Sequence, residues 1–214
     1  MSKINITLLL QNFFNKHPDI KESRNKGLIN RRALAQFIIK NEALNSNYMD
    51  AVLTALRRFP EEKANTSELD FAEEIKLSTK NGIVIIYLEK SPEVFKKISQ
   101  LLQLINFNKN ETLKIVLGTS SVKIFVDENN LNKVKDIFPH KEIISNYKHI
   151  SELTLLFPEK ARMTKGNLAY ITAALAVNNI NIIELLTGRP EIIFYFNEKD
   201  LLKAYETINQ LKKY

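Results

Sequence analysis

Apolar positions recur at helical spacing in the first sixty residues and at strand-like spacing for much of the rest. Residues 4 to 16 carry Ile4, Leu8, Leu9 and Phe13 on one helical face, and Pro18 ends that pattern. Gly27 interrupts the next segment. Asn30 is placed to cap a helix whose apolar face is Ala33, Leu34, Phe37 and Ile38. Asn45-Ser46-Asn47 is a turn and cap cluster. A further helix carries Tyr48, Ala51, Val52, Ala55 and Leu56 on one side until Pro60 stops it. Residues 61 to 67 are polar and predict a loop or linker.

From Glu68 the period changes. The run "EEIKLSTKNGIVIIYLE" predicts two strands around an Asn81-Gly82 hairpin. A helix near Ser91 to Ile105 follows, then strands at "TLKIVLG" and "VKIFVD", a helix at "ENNLNKVKDIF" and a strand at "EIISNY". The order then recurs. "ELTLLF" is a strand, Asn167 to Val177 a helix, and "INIIELL" and "EIIFYF" are strands around Thr187-Gly188-Arg189-Pro190. "EKDLLKAYETINQLKK" is a closing helix. Gly118-Thr119 and Thr187-Gly188 occupy matching turns, and "IFVDENNLNKV" matches "IFYFNEKDLLKA".

That order implies a fold. A strand-helix-strand crossover is right-handed, and a hairpin and second helix after it put both helices on one sheet face. Each block is therefore expected to be a ferredoxin-like βαββαβ unit, and the chain as a whole α+β. The other face of each sheet is left bare. Runs such as "IVIIYL" and "EIIFYF" are apolar at nearly every position, so that face wants cover from the other repeat or from another subunit. The second block also runs out of chain before its last strand. A strand around Glu74 to Ser78 is expected to be donated to it, since a bare edge is a liability. The rival is that this strand and residues 83 to 88 form a wing on the helical domain.

Composition narrows the classes. The chain has 214 residues, 44% hydrophobic and 26% charged, which is ordinary for a globular protein. No apolar run reaches the roughly 20 residues of a membrane span, and the start is too polar for a signal peptide, so a cytoplasmic location is expected. There is no cysteine, and His17, His140 and His149 have no metal-ligand spacing. With no Gly-rich phosphate loop and no nucleophile elbow, neither an enzyme nor a cofactor is expected. The net charge is +7, and it is uneven. Residues 1 to 66 hold 11 Lys+Arg against 6 Asp+Glu, and the rest 20 against 18. The basic first third fits contact with double-stranded DNA or an acidic surface, and equally fits lysine enrichment for solubility.

One stretch carries a resemblance. "GNLAYITAALAVNNINIIELLTGRPEIIFYFNEKDLLKAYETI" resembles the ACT domain, a small ligand-binding module of amino-acid metabolism. Gly166 stands where that family has a glycine entering its first helix, Asn179-Ile180-Asn181-Ile182 where it has "gINI", and Thr187-Gly188 at its polar hairpin. Asn179 replaces the usual glycine, and asparagine is the next best residue for a left-handed helix end. The earlier block, whose loop Glu89-Lys90-Ser91-Pro92-Glu93 has no glycine, looks like a degenerate copy, much as in the paired regulatory modules of aspartokinases. The helical third, with "LIN", "ALA" and "DAV…ALRR", resembles an archaeal family of predicted regulators of amino-acid metabolism containing ACT domains. The resemblance implies a helix-turn-helix-like or winged-helix-like domain over 1–66, a degenerate ACT-like domain over 67–148 and a second over 149–214.

It also implies sites. The ACT pattern puts Thr164, Lys165, Gly166 and Asn167 beside an amino acid, with Asn181 reaching from the strand. The helix-start amides and dipole there suit a carboxylate, although Gly166 can also serve only a tight turn. A recognition helix would offer Asn47, Asp50 and Thr54 to base edges, although Asp50 does not suit phosphate, with Arg31, Arg32, Arg57 and Arg58 on phosphates. Arg57 and Arg58 also suit a helix C-terminus with no DNA present. The chain is thus expected to be an amino-acid-responsive regulator, a homodimer that binds DNA. The alternative is a non-catalytic regulatory subunit that docks on a metabolic enzyme.

Overall fold

Residues 4–60 and 74–213 are described by the computed structural model. They fall into two compact units, Met1–Thr66 and Ser67–Tyr214. The loop expected over residues 61 to 67 lies outside the described residues.

The first unit is helical. Its helices are α1 (Ile6–Lys16), α2 (Pro18–Asn25), α3 (Arg31–Asn41) and α4 (Met49–Arg58). Asn5 caps α1 by accepting from the Leu8 amide at 3.1 Å. Asn30 caps α3 as expected, accepting from Arg32 at 2.9 Å and Ala33 at 3.1 Å. The core is Leu10, Phe13 and Phe14 of α1, Leu34, Ala35, Ile38 and Ile39 of α3, and Val52 and Leu56 of α4. The periodicity therefore located the helices and misplaced parts of their buried faces. Ile4, Leu8 and Phe37 are exposed, and so are Ala33 and Ala51. Stripes shifted by one position on such short helices are hard to tell apart, because apolar residues flank both. Ala43, at φ 50, turns the chain between α3 and α4. Arg24 closes the far end of α4. Its guanidinium donates to the carbonyls of Leu56 (3.1 Å), Phe59 (2.7 Å) and Pro60 (3.3 Å) and lies over the Phe14 and Phe59 rings. The Leu56 carbonyl is among those that a helix leaves unpaired at its end, and Phe59 and Pro60 follow directly after the helix.

The second unit is α+β. Its elements are β1 (Lys76–Glu89), α5 (Pro92–Leu104), β2 (Leu113–Leu117), β3 (Ser121–Asp127), α6 (Leu131–Ile137), β4 (Ile143–Leu156), α7 (Asn167–Val177), β5 (Glu184–Gly188), β6 (Glu191–Asn197) and α8 (Leu201–Gln210). The strands form one antiparallel sheet in the order β2-β3-β1-β4-β6-β5. Two expectations are corrected here. Asn81-Gly82 is not a hairpin but lies inside β1, and "EIISNY" and "ELTLLF" are not separate strands but one, β4. The boundary expected at 148/149 falls inside β4.

Both long strands carry a bulge at the same place. Lys80 pairs with Glu152 and Ile83 with Ile150, so Asn81 and Gly82 oppose Ser151 alone. Two residues on, Ile85 pairs with Tyr147, so Lys148 and His149 oppose Val84 alone. Gly82 (φ 68) and His149 (φ 56) are both left-handed, each just before the Ile83–Ile150 pair. Bulges bend strands and add twist. Here the paired bends divide the sheet into two halves. In one, the C-terminal half of β1 joins β2, β3 and the start of β4, backed by α5 and α6 over Val84, Ile86, Leu88, Val122, Ile124 and Val126. In the other, the N-terminal end of β1 pairs with the end of β4, beside β6 and β5. Ile75 and Leu77 sit in its core with Leu153, Leu155, Phe194 and Phe196 under α7 and α8. The donated-strand expectation is met, and the wing is not formed: residues 76–80 pair with 152–156 of β4.

The two bare faces cover each other within one chain. Ile83, Ile85 and Phe125 pack with Ile150, Ile193 and Tyr195. Ile83 stands opposite Asp127 and Ile150 opposite Asn197, so Phe125 and Tyr195 are equivalent positions of the two halves. Their rings meet at 4.6 Å. Charge follows the division. Lys114 meets Glu152 at 2.5 Å and Lys123 meets Glu184 at 2.5 Å, with both cations on the first half and both anions on the second. The Tyr195 hydroxyl donates to Glu152 at 2.8 Å, and that of Tyr87 donates to Glu184.

Candidate ligand cavity at the start of α7

The loop after β4 makes the site. Phe157 to Ala161 leave the sheet, a short turn follows, and Gly166 enters α7 at φ 91. An L-residue with a side chain pays for that angle; glycine does not. Gly166 has no side chain to cap the helix, so among the described residues the first amides of α7 have no side-chain cap. The earlier half differs at the same point: Ser91 caps α5 by accepting from the Val94 amide at 3.3 Å. The helix end that the first half closes is left open in the second.

The open end faces a cavity of about 460 Å³ between the loop and the β5–β6 hairpin. Its walls are Phe157, Ala161, Thr164, Gly166, Asn167 and Leu168 on one side and residues 187–192 on the other. The Phe157 amide donates to the Pro190 carbonyl at 3.1 Å and holds the two walls together. Asn167 is 9% exposed. Its Nδ2 donates to the Ala161 carbonyl at 2.9 Å, which fixes the orientation of the amide, and its Oδ1 is buried with no partner among the described residues. A buried acceptor left alone costs about 1–3 kcal/mol, so it asks for a donor.

Three of the expected ligand residues, Thr164, Gly166 and Asn167, line this cavity. Two do not. Lys165 is exposed and outside its walls. Asn181 is exposed too, and it precedes β5, which begins only at Glu184. The "INI" run ends a helix rather than starting a strand: Asn179 is left-handed at φ 56, and the Ile180 amide returns to the Leu175 carbonyl at 3.0 Å. Arg189 and Glu191, exposed at the rim, were missed. The hairpin was visible in the sequence, but its return to the start of α7 depends on β6 lying beside β4.

The corresponding place in the first half is tied shut. Lys90 donates to the Gly118 carbonyl at 3.1 Å and to the Thr119 carbonyl at 3.5 Å, joining its short loop to the β2–β3 hairpin.

On the helical unit, Arg31 and Arg32 open α3, and Asn47 sits in the turn before α4. Thr54, Arg57 and Arg58 lie on α4, and all six side chains are exposed. Asp50, Thr54 and Arg57 follow one another at helical spacing on the outer side of α4. Thr54 and Arg58 also line a groove with Ile6, Thr7 and Gln11 of α1. Among the described residues no group of His, Cys, Asp and Glu could hold a metal, and no helix is long and apolar enough to cross a membrane.

No protein-family profile matches the sequence, and no curated protein matches it. Solved structures do match. The aspartate kinase of Clostridium acetobutylicum is 20% identical, with a TM-score of 0.52 over 63% of this chain and 34% of that one. This chain therefore spans about a third of that enzyme's length. The aspartokinase α and β subunits give 13% identity and 0.53, over 65% of this chain and 94% of theirs. The regulatory subunit of aspartate kinase from Thermus flavus gives 15% and 0.50, over 63% of this chain and 95% of that one. At these identities what is shared is the fold: helices on an antiparallel sheet, as in the regulatory part of aspartate kinases.

Proposed function

We propose that the chain is an amino-acid-responsive regulator and that the cavity at α7 is its sensor. The observation that carries this is the uncapped helix end with the unpartnered Asn167 Oδ1 beside it. Together they offer donors and a positive dipole end to a carboxylate and an acceptor to an ammonium group. Arg189 and Glu191 add one charge of each sign at the rim. We retain the division into a helical part (1–66), a degenerate ACT-like repeat (67–148) and a second ACT-like repeat (149–214), the last completed by the donated strand. Ligand binds the second repeat alone, because Lys90 and Ser91 fill the corresponding place in the first. A thermal-shift screen over the twenty amino acids tests the sensor. Ligand at about 100 times its dissociation constant adds roughly 2.7 kcal/mol of stability. No shift with any of them would refute it.

The output is transcriptional in this proposal. α3 and α4 form the helix-turn-helix-like reader, with Asn47 and Thr54 toward bases and Arg31, Arg32, Arg57 and Arg58 on phosphates. Arg24 already takes the Leu56 and Phe59 carbonyls at the end of α4, and the exposed Arg57 and Arg58 are assigned to such a role. Duplex binding that weakens steeply with salt, and weakens further in Arg31→Ala/Arg32→Ala, is the expected result. Two copies would assemble through a surface other than the inner sheet faces, which are covered within the chain. The likeness to a separate regulatory subunit favours a second reading, in which the chain docks on a metabolic enzyme and binds no DNA. Absence of any salt-sensitive duplex binding would select it.

A further inference from the structure

The walls of the cavity also bear on which ligand it takes. We infer that the ligand is an amino acid with an uncharged, apolar side chain of about the size of leucine or phenylalanine. This rests on the sensor reading of the same cavity and goes further, to the chemical class. Polar and apolar groups are separated along its walls. The groups that can hold an α-carboxylate and an ammonium are the start of α7 with Asn167, and Arg189 and Glu191 at the exposed rim. The wall away from the rim is Phe157, 8% exposed, and Ala161, 2% exposed, with half-buried Ile192 on the hairpin side. No charged side chain lies on that wall among the described residues.

A ligand whose head group occupies the helix end therefore lays its side chain on hydrocarbon. A lysine or glutamate side chain there would lie on hydrocarbon, away from Arg189 and Glu191 at the exposed rim, and lose hydration with nothing on that wall to offset it. An alanine would leave the apolar wall uncovered. The volume of about 460 Å³ falls within the roughly 300–1,000 Å³ of small-molecule sites, so a branched or aromatic side chain has room. Thr164 on the loop wall and Thr187 on the hairpin wall are neutral polar residues and add no charge.

Isothermal titration of the full chain with leucine, phenylalanine, alanine, lysine and glutamate tests this. Leucine or phenylalanine should bind at least about tenfold more tightly than each of the other three. Ile192→Ala should weaken that tighter ligand about tenfold and leave alanine unchanged, whereas Asn167→Leu should weaken both. Lysine or glutamate binding as tightly as leucine and phenylalanine overturns the apolar class and leaves the sensor standing. Leucine binding that neither variant alters overturns it too, since the ligand would lie elsewhere. If no amino acid binds, both the class and the sensor fall.

Discussion

Tyr195 is the most informative position between the two sheet halves. It is fully buried, and its hydroxyl donates to Glu152, itself 9% exposed. Removing that hydroxyl by Tyr195→Phe loses a hydrogen bond to a charged acceptor, a contribution of about 1.5–3 kcal/mol. Glu152 keeps Lys114 at 2.5 Å and Thr154 at 3.2 Å, so no carboxylate is orphaned and the cost belongs at the lower end, near 1.5 kcal/mol at pH 7. Alkaline pH should then reverse the order of stability. Burial first, and then the Glu152 charge and hydrogen bond, push the Tyr195 hydroxyl well above its ordinary value of 10. Its folded value is raised, so its contribution is complete below pH 10 and is lost as pH rises toward the folded value. The unfolded chain releases the proton and the folded chain does not, which costs about 1.4 kcal/mol for each pH unit above 10. The phenylalanine variant lacks this loss. The two proteins should therefore be equally stable about one unit above pH 10, with the variant ahead beyond that. Urea unfolding from pH 7 to 12, followed by near-UV circular dichroism of the tyrosines, reads this, and with no cysteine in the chain alkali brings no thiol exchange. A constant gap across that range would refute the reasoning, as would a variant as stable as the parent at pH 7.

Other positions give further tests. Gly82→Ala should destabilise the sheet by about 1–2 kcal/mol, seen as a lower urea midpoint. The new methyl meets nothing within 4 Å, so the left-handed angle alone carries the cost. Arg24→Ala should cost the helical unit about 2–3 kcal/mol through its carbonyl bonds and ring contacts. Faster amide exchange in α4, with the sheet unaffected, would register it. Asn167→Leu should leave the ligand-free protein within about 1 kcal/mol of the parent, because the Ala161 carbonyl keeps the Thr164 amide as a donor. The same variant should reduce any amino-acid-induced thermal shift.

Much of the fold could be read locally. Asn30 as a cap, α7 over 167–177 and the repeated strand-helix order all rest on short-range chemistry, and each is found. The errors have a common cause. Asn81-Gly82 carries the strongest hairpin signal, yet the same left-handed glycine serves a bulge when both flanking segments find one long partner, here β4. Local sequence cannot choose between these outcomes, because the deciding strand lies some seventy positions away. The lining of the candidate cavity was partly legible on the same terms. Thr164, Gly166 and Asn167 follow one another along the chain and could be named together. Arg189 and Glu191 reach them only through the pairing of β4 with β6, and Asn181 was displaced because a helix end, not a strand, holds it.

Borrowing its outermost strand from ahead of the first repeat brings the beginning and end of the second unit side by side. Lys212, just past α8, donates to the carbonyl of Ile75, just before β1. A short peptide joining the two would close residues 75 to 212 into a ring, and new ends could then be opened at the Gly118-Thr119 turn without cutting a strand. Severing the chain at 148/149 would instead divide β4 and part the two halves from the strand they share.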